Sequence, residues 1–223
     1  MTKRRVAIMQ PYFAPFAGYY RLLAATDVFV IYDCVQFPRR GWVHRNRLPN
    51  AAGEADWLTL PLTHAPQETL IRDITFAAGA DTAFAERLAP FPRMKAGAPL
   101  ADAMLQAGRM AGGLVDYLEK QILHVRAVLD FQCDVVRSST LSADSGWRGQ
   151  ERILGLLDAL GASDYVNAPG GRALYDEAAF AARGRKLHFL PDFQGDHWSL
   201  LDRLARQMPT DIRADILAQT PAY

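Results

Sequence analysis

Residues 5–33, RVAIMQPYFAPFAGYYRLLAATDVFVIYD, decide the fold. Residues 5–9 form a short apolar run that reads as a buried strand. Residues 14–25 carry Phe16, Tyr20, Leu22 and Leu23 at helical spacing, with Pro15 suited to a first helical turn. Residues 27–32, DVFVIY, are β-branched and aromatic and end at Asp33, so they read as a second strand. Strand, crossover helix and strand within this length make a βαβ unit, whose two strands should be parallel neighbours.

Working outward, the pattern predicts an α/β fold: an N-terminal βαβ unit, a mostly parallel central sheet with flanking helices, and a small β-rich insertion. The insertion is expected at residues 41–77, from an extended piece at 43–48 and alternating runs at 57–62 (WLTLPL) and 70–76 (LIRDITF). Helical periodicity returns at 80–89 and 113–128, while 96–105 (AGAPLADAML) gives no clear reading. A strand is expected at 134–137, then an amphipathic helix at 149–160 stopped by Gly161. A strand at 164–166, a glycine-rich loop at 167–174, a helix at 176–183, a strand at 186–190 and a closing helix at 200–207 complete the chain. Residues 1–223 read as a single domain.

Composition narrows the function classes. The 223 residues are 50% apolar with a net charge of +1, as in an ordinary globule able to bury a core without disulfides. That balance argues against a broad electrostatic nucleic-acid binder and leaves room for a local basic patch. The two cysteines, Cys34 and Cys133, have no metal-ligand spacing and read as reduced thiols of a cytoplasmic protein. The apolar run after the basic start is too short for a signal peptide, and none is long enough for a membrane span. The residues name no cofactor and no oligomeric state.

Polar groups placed just after apolar strands are expected to form the site, because α/β sheets bind ligands beyond the carboxyl ends of their strands. Gln10 ends the first strand and can both donate and accept. Gly18 allows close approach, and the helix start beside Pro15 offers free N–H groups to an anion. Asp33 ends the second strand, where it is a candidate general base or a turn-forming acid. Residues 39–47, RRGWVHRNR, carry guanidinium groups suited to phosphate or carboxylate, with Trp42 placed to stack. Arg40, Arg45 and Arg47 are the expected clamps, and Asn46 orients polar groups. Asn167, the Gly170-Gly171 pair and Tyr175 supply a second loop whose amides could converge on an anion. Ser138, Ser139 and Thr140 follow a strand and suit either phosphate binding or helix capping. Tyr12, Tyr19 and Gln36 complete the expected substrate-binding set. These stretches are expected to converge on one polar hollow.

Three stretches, MQPYFAPFAGYYRLL, DVFVIYDCVQFPRRGWVHRNRL and WLTLPL, together with YVNAPGGRALYD and Phe180 beyond it, resemble the WbqC-like proteins over nearly the whole chain. In that pattern a second acid often follows the strand-ending Asp; here the position is Cys34. The resemblance implies a role in O-antigen or related surface-polysaccharide synthesis. It further implies acyl or aminoacyl transfer, for example of glycine, to the amine of a nucleotide-linked amino sugar, with a charged tRNA among the donors to consider. The βαβ layout is also similar to nucleotidyltransferase-like and adenylate-forming folds, whose loop histidines are replaced here by Gln10 and Gly18-Tyr19. A nucleotidyltransferase or ATP-dependent ligase, and a non-catalytic sugar-nucleotide-binding protein, therefore stand as alternatives.

Overall fold

A computed structural model describes residues 3–95, 98–142 and 146–223. In chain order the elements are β1 (Arg5–Met9), α1 (Ala17–Ala25), β2 (Val28–Ile31), β3 (Arg45–Pro49), β4 (Ala55–Thr59), α2 (Ala80–Leu88), α3 (Pro92–Lys95), α4 (Pro99–Gln106) and α5 (Leu114–Val128). There follow β5 (Asp134–Arg137), α6 (Gly149–Ala159), β6 (Asp164–Asn167), α7 (Glu177–Ala182), β7 (Lys186–Phe189), α8 (Leu200–Leu204) and α9 (Pro209–Ala218).

Among the described residues, five strands form one sheet in the order β5-β2-β1-β6-β7. All its pairings are parallel. Numbered by their succession in the chain, these strands lie 3-2-1-4-5, so the winding reverses between β1 and β6. The expected βαβ unit is present, with Val6 opposite Val28 and Met9 opposite Ile31.

Strand alternation splits the core into two layers. Ala7, Phe29 and Ile31 pack on one face with Leu22 and Leu23 of α1 and with α5. Val6, Ile8, Val28 and Val30 pack on the other face with Ile153, Leu156 and Leu157 of α6 and Phe180 of α7. Both faces of the sheet are covered, which is why β2 reads as an unbroken apolar run.

β3 and β4 form a separate antiparallel ribbon, Arg45 opposite Thr59 and Pro49 opposite Ala55. Hydrogen bonds fasten it on two sides: Phe13 N–H, in the turn after β1, donates to Trp42 O just ahead of the ribbon (2.9 Å), and Ser199 N–H, just before α8, donates to Arg47 O (3.1 Å).

Three local expectations are corrected, and the stretch left without a reading is settled in part. α1 starts at Ala17, so Pro15 lies outside it. Ala14 has φ of 40°, a left-handed conformation costly for a residue with a Cβ, and the helix cannot begin there. Residues 70–76 are not a continuous strand. Isolated bridges at Leu70, Thr75 and Phe76 flank a 3-10 turn over Ile71–Asp73. The buried residues there are Ile71, Ile74 and Phe76, spaced by three and then two, so the strict alternation of a strand is broken at the turn. Of residues 96–105, Ala96 and Gly97 lie outside the described residues, and α4 begins at Pro99, its first helical position. The expected closing helix ends at Leu204, and α9 follows it, burying Ile212 and Ile216.

Candidate active site

The reversal between β1 and β6 opens a crevice beyond their carboxyl ends, where sheets of this order take ligands. A hollow of ≈ 420 Å³ lies there on the α1 side. Its walls include Tyr12, Gly18 and Tyr19 from the first loop and helix, and Ala168 and Pro169 from beyond β6. Asp192, Phe193 and His197, from the segment after β7, close it. The Tyr12 and Tyr19 rings lie 5.4 Å apart, and the Tyr19 hydroxyl donates to the Gln10 carbonyl at 3.0 Å. Burial raises the pKa of both phenols, so they stay protonated donors at neutral pH. Phe16 meets Phe193 edge-on at 5.6 Å and His197 at 4.9 Å. Gly18 makes this wall possible: a Cβ there would lie 2.3 Å from the Phe16 ring. Arg21 is buried, and its guanidinium donates to the carbonyls of Pro191 (2.9 Å) and Gln219. It thereby fixes the segment after β7 against the end of α9.

A second hollow, ≈ 640 Å³, lies at the carboxyl ends of β2 and β5 against α6. It shares no lining residue with the first. Gln36 lines it, together with Cys34, Ser138, Ser139 and three arginines, Arg72, Arg148 and Arg152. Arg152 is mostly buried and donates from Nη1 to the Cys34 carbonyl at 2.6 Å.

Asp33 sits behind this hollow, only 1% exposed. Its Oδ1 accepts from Ser138 Oγ (2.7 Å) and Ser139 N–H (2.9 Å), and its Oδ2 accepts from Ser139 Oγ (2.5 Å). Ser138 Oγ in turn accepts from the Asp33 N–H at 3.1 Å. The carboxylate therefore ties the end of β2 to the end of β5, and its lone pairs face serines.

The arginine-rich stretch forms a third group on the β3–β4 ribbon. The Arg45 guanidinium lies over the Trp57 ring at 4.1 Å and donates to the Arg40 carbonyl at 2.8 Å. Arg47 lies 5.5 Å from the Trp42 ring, and the two tryptophans are 5.3 Å apart. Arg40 is exposed at the rim. Asn46 is buried and gives both amide hydrogens to the turn after β1, at Phe13 O (3.0 Å) and Ala14 O (2.8 Å). Ser199 Oγ donates to the same Ala14 carbonyl at 2.6 Å. Together they hold the left-handed Ala14.

In the second loop, Asn167 is buried and accepts from the Ala168 N–H at 2.8 Å. Gly171 packs so closely that a Cβ would lie 2.4 Å from the Asn167 amide nitrogen, whereas Gly170 faces open space. Residues 169–174 are a short 3-10 segment. Tyr175 packs with the α6-side core, its hydroxyl 3.4 Å from that of Tyr165. The expected single hollow is thus divided. Tyr12, Gly18 and Tyr19 line one hollow, Gln36 lines another, and Trp42, Arg45 and Arg47 stack on the ribbon.

Sequence reading passed over Asp192, Phe193 and His197, although they follow a strand as Gln10 and Asp33 do. It also passed over Arg148 and Arg152, which precede and enter an amphipathic helix and so read as its solvated side. Among the described residues no group of three or more His, Cys, Asp or Glu is placed to hold a metal ion, and no helix is long and apolar enough to cross a membrane.

The turn after β1, the ribbon and the 167–171 loop all fall within one stretch of family likeness. The WbqC-like protein family matches residues 10–198. The uncharacterized protein Rv1507c of Mycobacterium tuberculosis is 32% identical over 189 residues, covering 79% of this chain and 78% of that protein. No solved structure matches. The match runs from the end of β1 through both hollows to the segment after β7, and the chain belongs to the WbqC-like protein family.

Proposed function

We propose that this protein is a cytoplasmic transferase of surface-polysaccharide (O-antigen-type) assembly, working as one α/β domain. It holds a nucleotide-linked amino sugar at the switch point and receives an acyl or aminoacyl group on the sugar amine. The observation that carries this reading is the hollow between the ends of β1 and β6, the place where a doubly wound sheet takes nucleotide ligands. Phe16, Phe193 and His197 offer ring faces for a base, and Tyr12 offers a neutral hydroxyl donor. Gln10 and the open Gly170 edge lie at the two strand ends where the sugar would emerge. The acyl step follows from the family resemblance. In it the amine nitrogen attacks the acyl carbonyl, the C–N bond forms, and the leaving group departs with its electron pair. The amine proton passes to solvent water at the open end of the hollow, His197 stays part of the ring wall, and Asp33 serves as the anchor of the β2–β5 edge.

The test is to incubate the protein with nucleotide-linked amino sugars and acyl donors, charged tRNA among them, and to seek the amide product by mass. An amide formed by the native protein, with the KM for the nucleotide sugar raised in His197→Ala, supports the proposal. No binding of any nucleotide sugar overturns it. The second reading, an accessory protein that binds without turnover, is favoured by one observation: serines occupy both oxygens of the acid expected to act as base. Tight binding with no mass change under every donor would establish it.

A further inference from the structure

The switch-point hollow leaves one motif unused, RRGWVHRNR at residues 39–47. We propose that the outer face of the β3–β4 ribbon, which this motif leads into, docks an unpaired stretch of single-stranded RNA. Strand alternation turns Asn46, Leu48 and Leu58 into the core and sends Arg45, Arg47, Trp57 and Thr59 outward. Trp57 is 40% exposed.

Flat rings and positive charge interleave on that face. Arg45 lies over Trp57 at 4.1 Å, Trp57 leans on Trp42 at 5.3 Å, and Arg47 stands 5.5 Å from Trp42 and 5.8 Å from Trp57. A stacked guanidinium keeps its N–H fork in its own plane, free to meet a phosphate at the ring's edge. The protein itself does not supply that anion. None of Arg40, Arg45 and Arg47 is ion-paired among the described residues. The Nε–H groups of Arg45 and Arg47 have no acceptor. Asp56, the one acid of the two strands, is in register with Leu48 on the opposite face and accepts from the Trp57 N–H at 2.7 Å.

Arg45 and Arg47 are two residues apart on one strand, so their backbones lie about 6.5 Å apart, a step that successive phosphates of an extended strand can follow. An unpaired strand offers both groups at once, bases for the indoles and phosphates for the forks. An acidic peptide offers charge without flat faces. An anionic membrane would meet the exposed hairpin tip at residues 51–54, which ends in Glu54 and carries no large apolar side chain. The Thr59 side chain, opposite Arg45, adds a hydroxyl for a ribose 2′-hydroxyl, which fits RNA over DNA. This face lines neither hollow, so its occupancy is independent of a nucleotide sugar.

The test is fluorescence anisotropy of an end-labelled, unstructured RNA oligomer titrated with the protein across a salt series. Binding is expected with a Kd of about 1–100 µM near 0.1 M salt. Two neutralised phosphates should give log K against log salt a slope of about −1.4, at about −0.7 each. Trp57→Ala, checked for native circular dichroism, should weaken binding about tenfold or more. Arg45→Gln/Arg47→Gln should bring the slope near zero. Ultraviolet crosslinking of the same RNA to the native protein, mapped by mass, needs no variant and should place adducts on Trp42 or Trp57. No binding, binding that survives both variants, or crosslinks confined elsewhere would overturn the proposal. So would equal or tighter binding of the duplex or the DNA counterpart, or tighter ribbon-dependent binding of anionic vesicles or an acidic polysaccharide. Phe193→Ala should weaken nucleotide-sugar binding and leave RNA affinity unchanged; loss of RNA binding there would merge the two sites and overturn the proposal as well.

Discussion

Replacing Asp33 separates an anchoring acid from a catalytic one. In Asp33→Asn the amide oxygen can keep the bonds from Ser138 Oγ and Ser139 N–H, and Nδ2 can donate to a rotated Ser139 hydroxyl. Three charge-assisted bonds become neutral ones, a loss of about 0.5–1 kcal/mol each, or roughly 1.5–3 kcal/mol in all. For a chain of this size that lowers Tm by roughly 5–10 °C. Asp33→Ala removes all three bonds and leaves the buried Ser138 hydroxyl and the part-buried Ser139 N–H without their acceptor, costing about 4–6 kcal/mol. Urea and thermal unfolding measure both losses, and turnover and ligand affinity are measured on the same preparations. An anchor predicts that Asn keeps most of the native activity per folded molecule. An Asn variant as stable as the native protein refutes the anchoring role. One with native affinity and no turnover makes Asp33 the base.

Other consequences follow from the same contacts. Gly18→Ala gains about 1 kcal/mol of helix propensity and loses a similar amount where its Cβ meets the Phe16 ring. Calorimetry should therefore find little change in Tm, while displacement of Phe16 weakens nucleotide-sugar binding about tenfold, or 1.4 kcal/mol. Asn46→Ala strips two bonds from buried carbonyls and should cost about 2–4 kcal/mol, read as a Tm lower by roughly 5–12 °C. His44 is held neutral, chiefly by burial and secondarily by Arg45, with its pKa pushed down to about 4. The unfolded chain protonates His44 near its ordinary pKa of about 6.5, so stability is complete above that pH and falls as pH drops toward 4. With solvent screening discounted, the loss is about 1–2 kcal/mol, and His44→Gln should flatten that part of the stability–pH curve.

The βαβ unit was legible because its signal is local. Val6 and Ile8 face one layer, Ala7 the other, and the all-apolar Val28–Ile31 announces a strand covered on both sides. The neighbour of β1 across the switch point was not legible, since β6 lies more than 150 residues away and pairs through Arg5 and Val6 alone. Residues 70–76 misled because alternation in the letters competes with backbone bonds that bend the segment. Ile71 N–H reaches Val35 O, and Arg72 N–H reaches Asp33 O. The strand-end rule pointed to Tyr12, which lines a hollow, and to Gln10 and Asp33, which line neither; applied after β7 it would have pointed to Asp192 and His197. It could not say that Asn46 points into a turn, or that Arg45 spends its charge on a tryptophan face. Those outcomes depend on contacts between elements far apart in the chain. Arg152 was hidden for the same reason: its partner carbonyl, at Cys34, is 118 residues away.

The most direct test of the central claim is a crystal structure of the protein with a nucleoside diphosphate-linked amino sugar. The base should lie against Phe16, Phe193 or His197, and the sugar should emerge past the ends of β1 and β6 near Gln10. A ligand seated instead on the Arg45–Trp57 ribbon, with the switch-point hollow empty, would contradict the account.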